Sequence, residues 1–163
     1  MDIALQRSFD SFQEEFVINK LEKSTYQENN NEIQVAGDGN CLFRCIAIIM
    51  FDDQKYHYLV REKMIQYLQL DTARFLSSPN LEGSIDTWIG KMINSGHQEF
   101  GISGEYGDSF AIEILSWMLE KPIQVSIRDV ITNREYQTDS FGSWFDNQTV
   151  RLILRGNHFT LLA

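Results

Sequence analysis

Residues 36–50 read AGDGNCLFRCIAIIM, and the fold turns on this stretch. Gly37, Asp38, Gly39 and Asn40 tolerate unusual backbone angles, so AGDGN predicts a tight turn. CLFRCIAIIM is apolar on every side except at Arg44, the pattern of a buried central helix. Cys41 stands where the turn becomes the helix. Unpaired N–H groups and the positive end of the helix dipole converge there, which is expected to lower a thiol's pKa. The N–H groups of Asp38, Gly39, Asn40 and Cys41 also form a candidate oxyanion-hole loop, in which losing one donor costs about 3 kcal/mol of transition-state stabilisation. The alternative is that Cys41 is a small buried hydrophobe, as free cysteines commonly are. Cys45, one turn further along, is read as core.

Outward from this centre the periodicity is mostly helical. Leu5, Phe9, Phe12 and Phe16 predict an amphipathic helix over 2–22. QENNNE (27–32) breaks it as a loop, and Ile33 and Val35 predict a short strand. Val60, Met64, Tyr67 and Leu68 mark the next helix. Ser84 is placed to cap a further one with Ile85, Trp88, Ile89, Met92 and Ile93 inward, which Gly96 ends. Residues 97–109 read as a surface loop. Asp108 or Ser109 then caps a helix carrying Ala111, Ile114, Leu115 and Met118, stopped at Lys121-Pro122. Ile123, Val125 and Ile127 alternate, as do Val150, Leu152 and Leu154, so both segments predict strands. Gly156-Asn157 fits a two-residue hairpin turn into HFTLL. Several helices followed by a mostly antiparallel sheet make an α+β class.

The 163 residues suit one compact domain, and 43% apolar content is that of a globular chain. A net charge of −9 repels phosphate backbones, so nucleic acid is not an expected partner. Two cysteines four residues apart give no disulfide framework, and without a second ligand pair they give no metal site. No cofactor is expected. The first residues lack a signal-peptide pattern, and the longest apolar run, 45–51, is too short to span a membrane, so a cytoplasmic, monomeric protein is expected. An effector exported into a host cytosol would read the same way.

A nucleophilic cysteine needs a base, and the chain has three histidines. His57 reads as a surface or capping residue. His97 lies in the loop after Gly96, where it is solvated or touches a substrate. His158 begins a strand after a tight turn, which holds an imidazole rigidly with its edge exposed; a structural histidine is the alternative there.

DGNCLFRCIA (38–47) resembles the nucleophile motif of the ovarian-tumour (OTU) family of deubiquitinating cysteine proteases. VREKMIQYL (60–68), WIGKMINSG (88–96), EYGDSFAIEILSWMLEKPIQV (105–125) and NHFTLLA (157–163) resemble later segments of that family in order, so the likeness runs over about 32–163. It implies a papain-like fold with helices on a small, mostly antiparallel sheet, an OTU-type catalytic domain over 27–163, and a helical extension over 1–26. The implied activity is thiol-dependent hydrolysis of the isopeptide bond after the ubiquitin C-terminal glycine. Asp38, Cys41 and His158 are the implied active-site positions. Many members carry Asp or Asn two residues after the histidine, where this chain has Thr160. The ring would then be oriented by Thr160, or by an upstream residue such as Glu32 or Asn31. Glu105, Tyr106, Gly107 and Asp108, with Trp144 and Phe145 in a nearby loop, are implied contacts for the ubiquitin tail. Ubiquitin or polyubiquitin is the implied partner. The alternatives are a catalytically weak ubiquitin-binding module and a protease for another ubiquitin-like modifier.

Overall fold

The computed structural model describes residues 27–28, 31–93 and 107–163. The helix expected over 2–22, Gly96, His97, Glu105 and Tyr106 lie outside the described residues.

The described residues open with two short strands, β1 (Gln27–Glu28) and β2 (Glu32–Ile33), paired antiparallel. Gln27, Glu28 and Glu32, expected within a loop, are thus paired strand residues, and Asn31, just ahead of β2, sits at φ 62°. Asparagine is among the few residues that adopt this angle readily, and strands of two residues are too short to show alternation.

Helix α1 runs Cys41–Phe51 with Leu42, Phe43, Cys45, Ile46, Ala47 and Phe51 buried. Arg44 is buried as well, at 6% exposure, so the one charge in the apolar run is internal. Helix α2 (His57–Leu70) packs on α1 through Val60, Met64 and Leu68, as the spacing predicts. After a single turn, α3 (Thr72–Phe75), comes α4 (Ile85–Ile93). Ser84 caps α4, its hydroxyl accepting the Thr87 N–H at 3.1 Å. Helix α5 (Ser109–Leu119) is capped by Asp108, whose Oδ1 accepts the Ala111 N–H at 2.8 Å. It ends at Glu120, at φ 52°, one residue before Lys121-Pro122. Trp88 meets Phe110 edge-on at 4.8 Å and so ties α4 to α5.

Strands β3 (Ile123–Arg128), β4 (Glu135–Phe141), β5 (Val150–Arg155) and β6 (His158–Leu162) complete a six-stranded sheet of order β1-β2-β6-β5-β3-β4. All neighbours are antiparallel except β3 and β5, which makes the fold α+β with a mostly antiparallel sheet. The sequence shows no sign of β4. It is an edge strand, largely exposed on both faces, so it needs no apolar alternation. Gly156, at φ 60°, turns β5 into β6 with Arg155 opposite His158.

Two faces of β6 follow from this register. Phe159 and Leu161, paired with Leu154 and Leu152, belong to the apolar core. His158 and Thr160, paired with Arg155 and Ile153, occupy the other face. Glu32 on β2 stands opposite Leu162, on the same face as His158 and Thr160.

Candidate active site

The β5–β6 turn closes on the Arg155–His158 pair, so the Asn157 carbonyl and the Phe159 N–H point away from β5. β2 reaches only as far as Leu161, and Cys41 occupies the open edge this leaves. Its Sγ lies 3.6 Å from the Asn157 carbonyl oxygen, to which the thiol donates, and 3.5 Å from the Phe159 nitrogen, whose N–H it accepts. The two groups flank His158 in the chain. The structure therefore sets the cysteine beside the histidine, 117 residues apart, by strand geometry. A Cβ on Gly37 would lie 3.8 Å from His158 Nδ1, so the ring packs against the loop that carries the nucleophile.

That loop is held from within. Asp38 Oδ1 accepts the Asn40 N–H at 3.1 Å, and the carboxylate takes the Arg44 guanidinium through Nε at 3.0 Å and Nη2 at 2.6 Å. Arg44 and the Asn40 N–H together hold Asp38 below the usual carboxylate range, against burial, which pushes it up. Asp38, implied as an active-site position, thus braces the loop, and the Asn40 N–H, one of the four candidate oxyanion donors, is turned toward its carboxylate. Below the loop, Asn40 is fully buried and its Oδ1 accepts Arg61 Nη2 at 2.8 Å. The Arg61 guanidinium stacks 4.0 Å over Phe43. Sequence reasoning missed Arg61; a single basic residue on the apolar side of α2 was the available signal.

Burial pushes the Cys41 thiol above the ordinary range. The N–H groups of Phe159, Leu42 and Cys41 itself pull it down, and the Asp38 carboxylate adds to the rise. The lowered value expected from the turn and helix start is thus reversed: desolvation outweighs the helix terminus. Alkylation of Cys41 by iodoacetamide should accelerate up to and beyond pH 8.5, without a plateau near neutrality; a plateau at pH 5–6 would mean a preformed thiolate and overturn this.

His57 is no surface residue. It is fully buried at the start of α2, and neither ring nitrogen has a hydrogen-bond partner among the described residues. Its pKa is lowered to about 4, first by burial and then by Arg44 and Arg61, with Asp38 opposing. An unfolded histidine titrates near 6.5, so the unfolded chain binds a proton between pH 6.5 and 4 that the folded chain refuses. Stability held above pH 6.5 is lost as the pH falls, by roughly 2 kcal/mol at pH 5. Melting temperature against pH should show this loss, and His57→Phe should flatten it.

Of the implied substrate contacts, Gly107 and Asp108 line a cleft of about 260 Å³ with Ser109, Ile112, Phe141 and Asn157. A Cβ on Gly107 would lie 2.1 Å from Leu42 Cδ2, so this position needs glycine for the close approach to α1. Both Asp108 oxygens are committed, one to the cap and the other to Trp88 Nε1 at 2.9 Å. Trp144 and Phe145 are not among the residues lining the cleft. They cluster with Trp117 on the last turn of α5, at ring distances of 5.4 and 5.1 Å, whereas the cleft lies at its first turns. Asn31 directly precedes β2, its carbonyl accepting the Ala163 N–H at 2.8 Å. Of the proposed orienting residues, Glu32 and Thr160 come together: the Thr160 hydroxyl donates to the Glu32 carboxylate.

The sequence pattern of the OTU-like cysteine proteases matches residues 36–156. The chain belongs to that family. The match includes Asp38 and Cys41 and stops two residues short of His158, so the histidine's placement rests on the geometry above. Human OTU domain-containing protein 1 is 31% identical over 72 residues, 44% of this chain and 15% of that protein. The chain thus spans a small part of the length of the curated relatives it matches. Among solved structures, the viral OTU domain protease of Dera Ghazi Khan virus superposes with a TM-score of 0.65 at 18% identity, over 83% of this chain and 85% of that one. The Hazara virus OTU bound to ubiquitin gives 0.65 at 20%, over 81% and 79%. These likenesses establish the OTU fold.

Proposed function

We propose that this OTU domain is a thiol-dependent deubiquitinase, with Cys41 as nucleophile and His158 as general base. The observation that carries the reading is the Cys41 sulfur held between the backbone groups on either side of His158, next to an apolar-floored cleft. An extended tail fits such a cleft, and the Hazara virus relative is bound to ubiquitin. Both cysteines are free, which suits a reducing compartment such as the cytosol.

In this reading the thiol leaves the Asn157 carbonyl and passes its proton to His158 as sulfur attacks the carbonyl carbon of the tail's last glycine. The N–H groups of Gly39 and Cys41 take the oxyanion. The tetrahedral intermediate collapses, and His158 returns the proton to the departing lysine amine. Water, deprotonated by the same ring, hydrolyses the thioester and restores the thiol. Because burial pushes the Cys41 thiol up, proton transfer to His158 belongs to the attack itself.

Probes made of ubiquitin and of ubiquitin-like modifiers, each with a C-terminal electrophile, test the substrate class. A covalent adduct with ubiquitin is expected. An adduct with another modifier alone would reassign the substrate, and folded protein that reacts with none would sink the protease reading. Time-resolved digestion of each diubiquitin linkage then ranks linkage preference.

A further inference from the structure

The cleft has two walls, held by different means. One is the Gly156–Asn157 turn, fixed by the β5–β6 pairing. The other is the run Gly107, Asp108 and Ser109, which leads into α5 and is tied at two points. Gly107 lies against Leu42, the residue after Cys41, so closely that a Cβ there would meet Leu42 Cδ2 at 2.1 Å and its Cβ at 2.9 Å. Asp108 is tied to α4, its Oδ2 accepting the Trp88 indole N–H at 2.9 Å. Trp88 is itself anchored, being buried and set edge-on against the fully buried Phe110.

We infer that Trp88 is a positioning residue for the cleft: through Asp108 it holds the wall opposite the Gly156–Asn157 turn, and so sets how tightly a substrate tail is gripped. The inference rests on the reading of the cleft as the seat of that tail. The argument is one of acceptor count. Asp108 satisfies two N–H groups, that of Ala111 at 2.8 Å and that of Trp88, and each takes a different carboxylate oxygen. A helix cap needs only one oxygen, and asparagine supplies it as well as aspartate does. The other branch of an asparagine carries NH2, a donor. With its oxygen on Ala111, that NH2 would face the indole N–H, donor against donor. The second oxygen of Asp108 is therefore surplus to the cap, and Trp88 is what uses it.

Among the described residues, neither Trp88 nor Asp108 is hydrogen-bonded to Cys41 or His158. The nucleophile loop has its own brace in Asp38 and Arg44. Loosening the far wall thus weakens the grip on substrate and transition state alike, which raises KM and leaves kcat in place. A residue needed only for folding would lower the amount of active protein and leave KM unmoved.

Asp108→Asn keeps the cap and breaks only the tie, so it should fold and should raise KM on a ubiquitin substrate about tenfold, with kcat within about twofold. Trp88→Phe should do the same. A direct contact between Asp108 and the tail would also raise KM, and the double variant separates the two. In the Trp88→Phe background, Asp108→Asn should add less than about twofold. The Trp88 indole N–H, identified by its loss in Trp88→Phe, should exchange with solvent slowly in the native chain and at least about tenfold faster in Asp108→Asn. Full additivity, a fall in kcat with KM unmoved, or an unchanged exchange rate in folded Asp108→Asn would overturn the clamp. A native chain that reacts with no ubiquitin probe would instead refute the protease reading, and the exchange rate, read without substrate, would still decide whether Trp88 holds Asp108.

Discussion

Cys41→Ala should abolish capture of a ubiquitin probe and lower the cleavage rate by a factor on the order of 10⁴ to 10⁶, the usual cost of removing a nucleophile. Binding should survive. Cys41 is buried and contacts Asn157 and Phe159 only through its sulfur. Loss of one small side chain should change stability by about 1 kcal/mol or less. The variant ought therefore to hold ubiquitin without cleaving it, and calorimetry against an activity assay separates the two properties. Retained cleavage would move the nucleophile elsewhere, and Cys45 is no substitute. It is fully buried, and burial and the neighbouring Cys41 raise its thiol pKa well above the ordinary value.

The second large effect is on stability. Arg61→Ala removes a guanidinium that donates to Asn40, contacts the Met92 sulfur at 3.2 Å and stacks on Phe43. It also empties a volume that is 1% exposed. Losing a hydrogen bond from a charged donor and leaving the Asn40 acceptor buried costs about 3 kcal/mol. For a chain of this length that is a drop in melting temperature of roughly 10 °C. Asn40 immediately precedes the nucleophile, so residual folded protein should also turn over more slowly. Arg61→Lys should recover little, because an ammonium cannot both donate to Asn40 and stack flat on Phe43. Thermal melts of the two variants decide it, and an unchanged melting temperature in Arg61→Ala would refute the role.

Arg61 also shows where sequence reading stops. Its helix is legible from Val60, Met64 and Leu68, but its partner lies 21 residues upstream in a turn. His57 reads as a surface or capping residue for the same reason: polarity implies solvent unless another element covers the residue, and periodicity cannot show that one does. Trp144 and Phe145 are implied as tail contacts by the family likeness, and their packing against Trp117 on α5 is a contact no spacing in the sequence shows. β4 left no apolar trace because an edge strand buries little. The N-caps Ser84 and Asp108 were legible because capping is local chemistry within three residues.

By itself the sequence determined the turn and buried helix at 36–50, the helical stripes, the alternating strands and the Gly156 hairpin, all set by short-range sterics and apolar spacing. It singled out Cys41 the same way. Only the tertiary structure shows the burial that pushes that thiol up, because desolvation depends on everything packed around the sulfur. It alone brought Glu32, Arg155 and Thr160 to one face beside His158. Strand register joins residues more than a hundred positions apart, and no local pattern encodes that meeting.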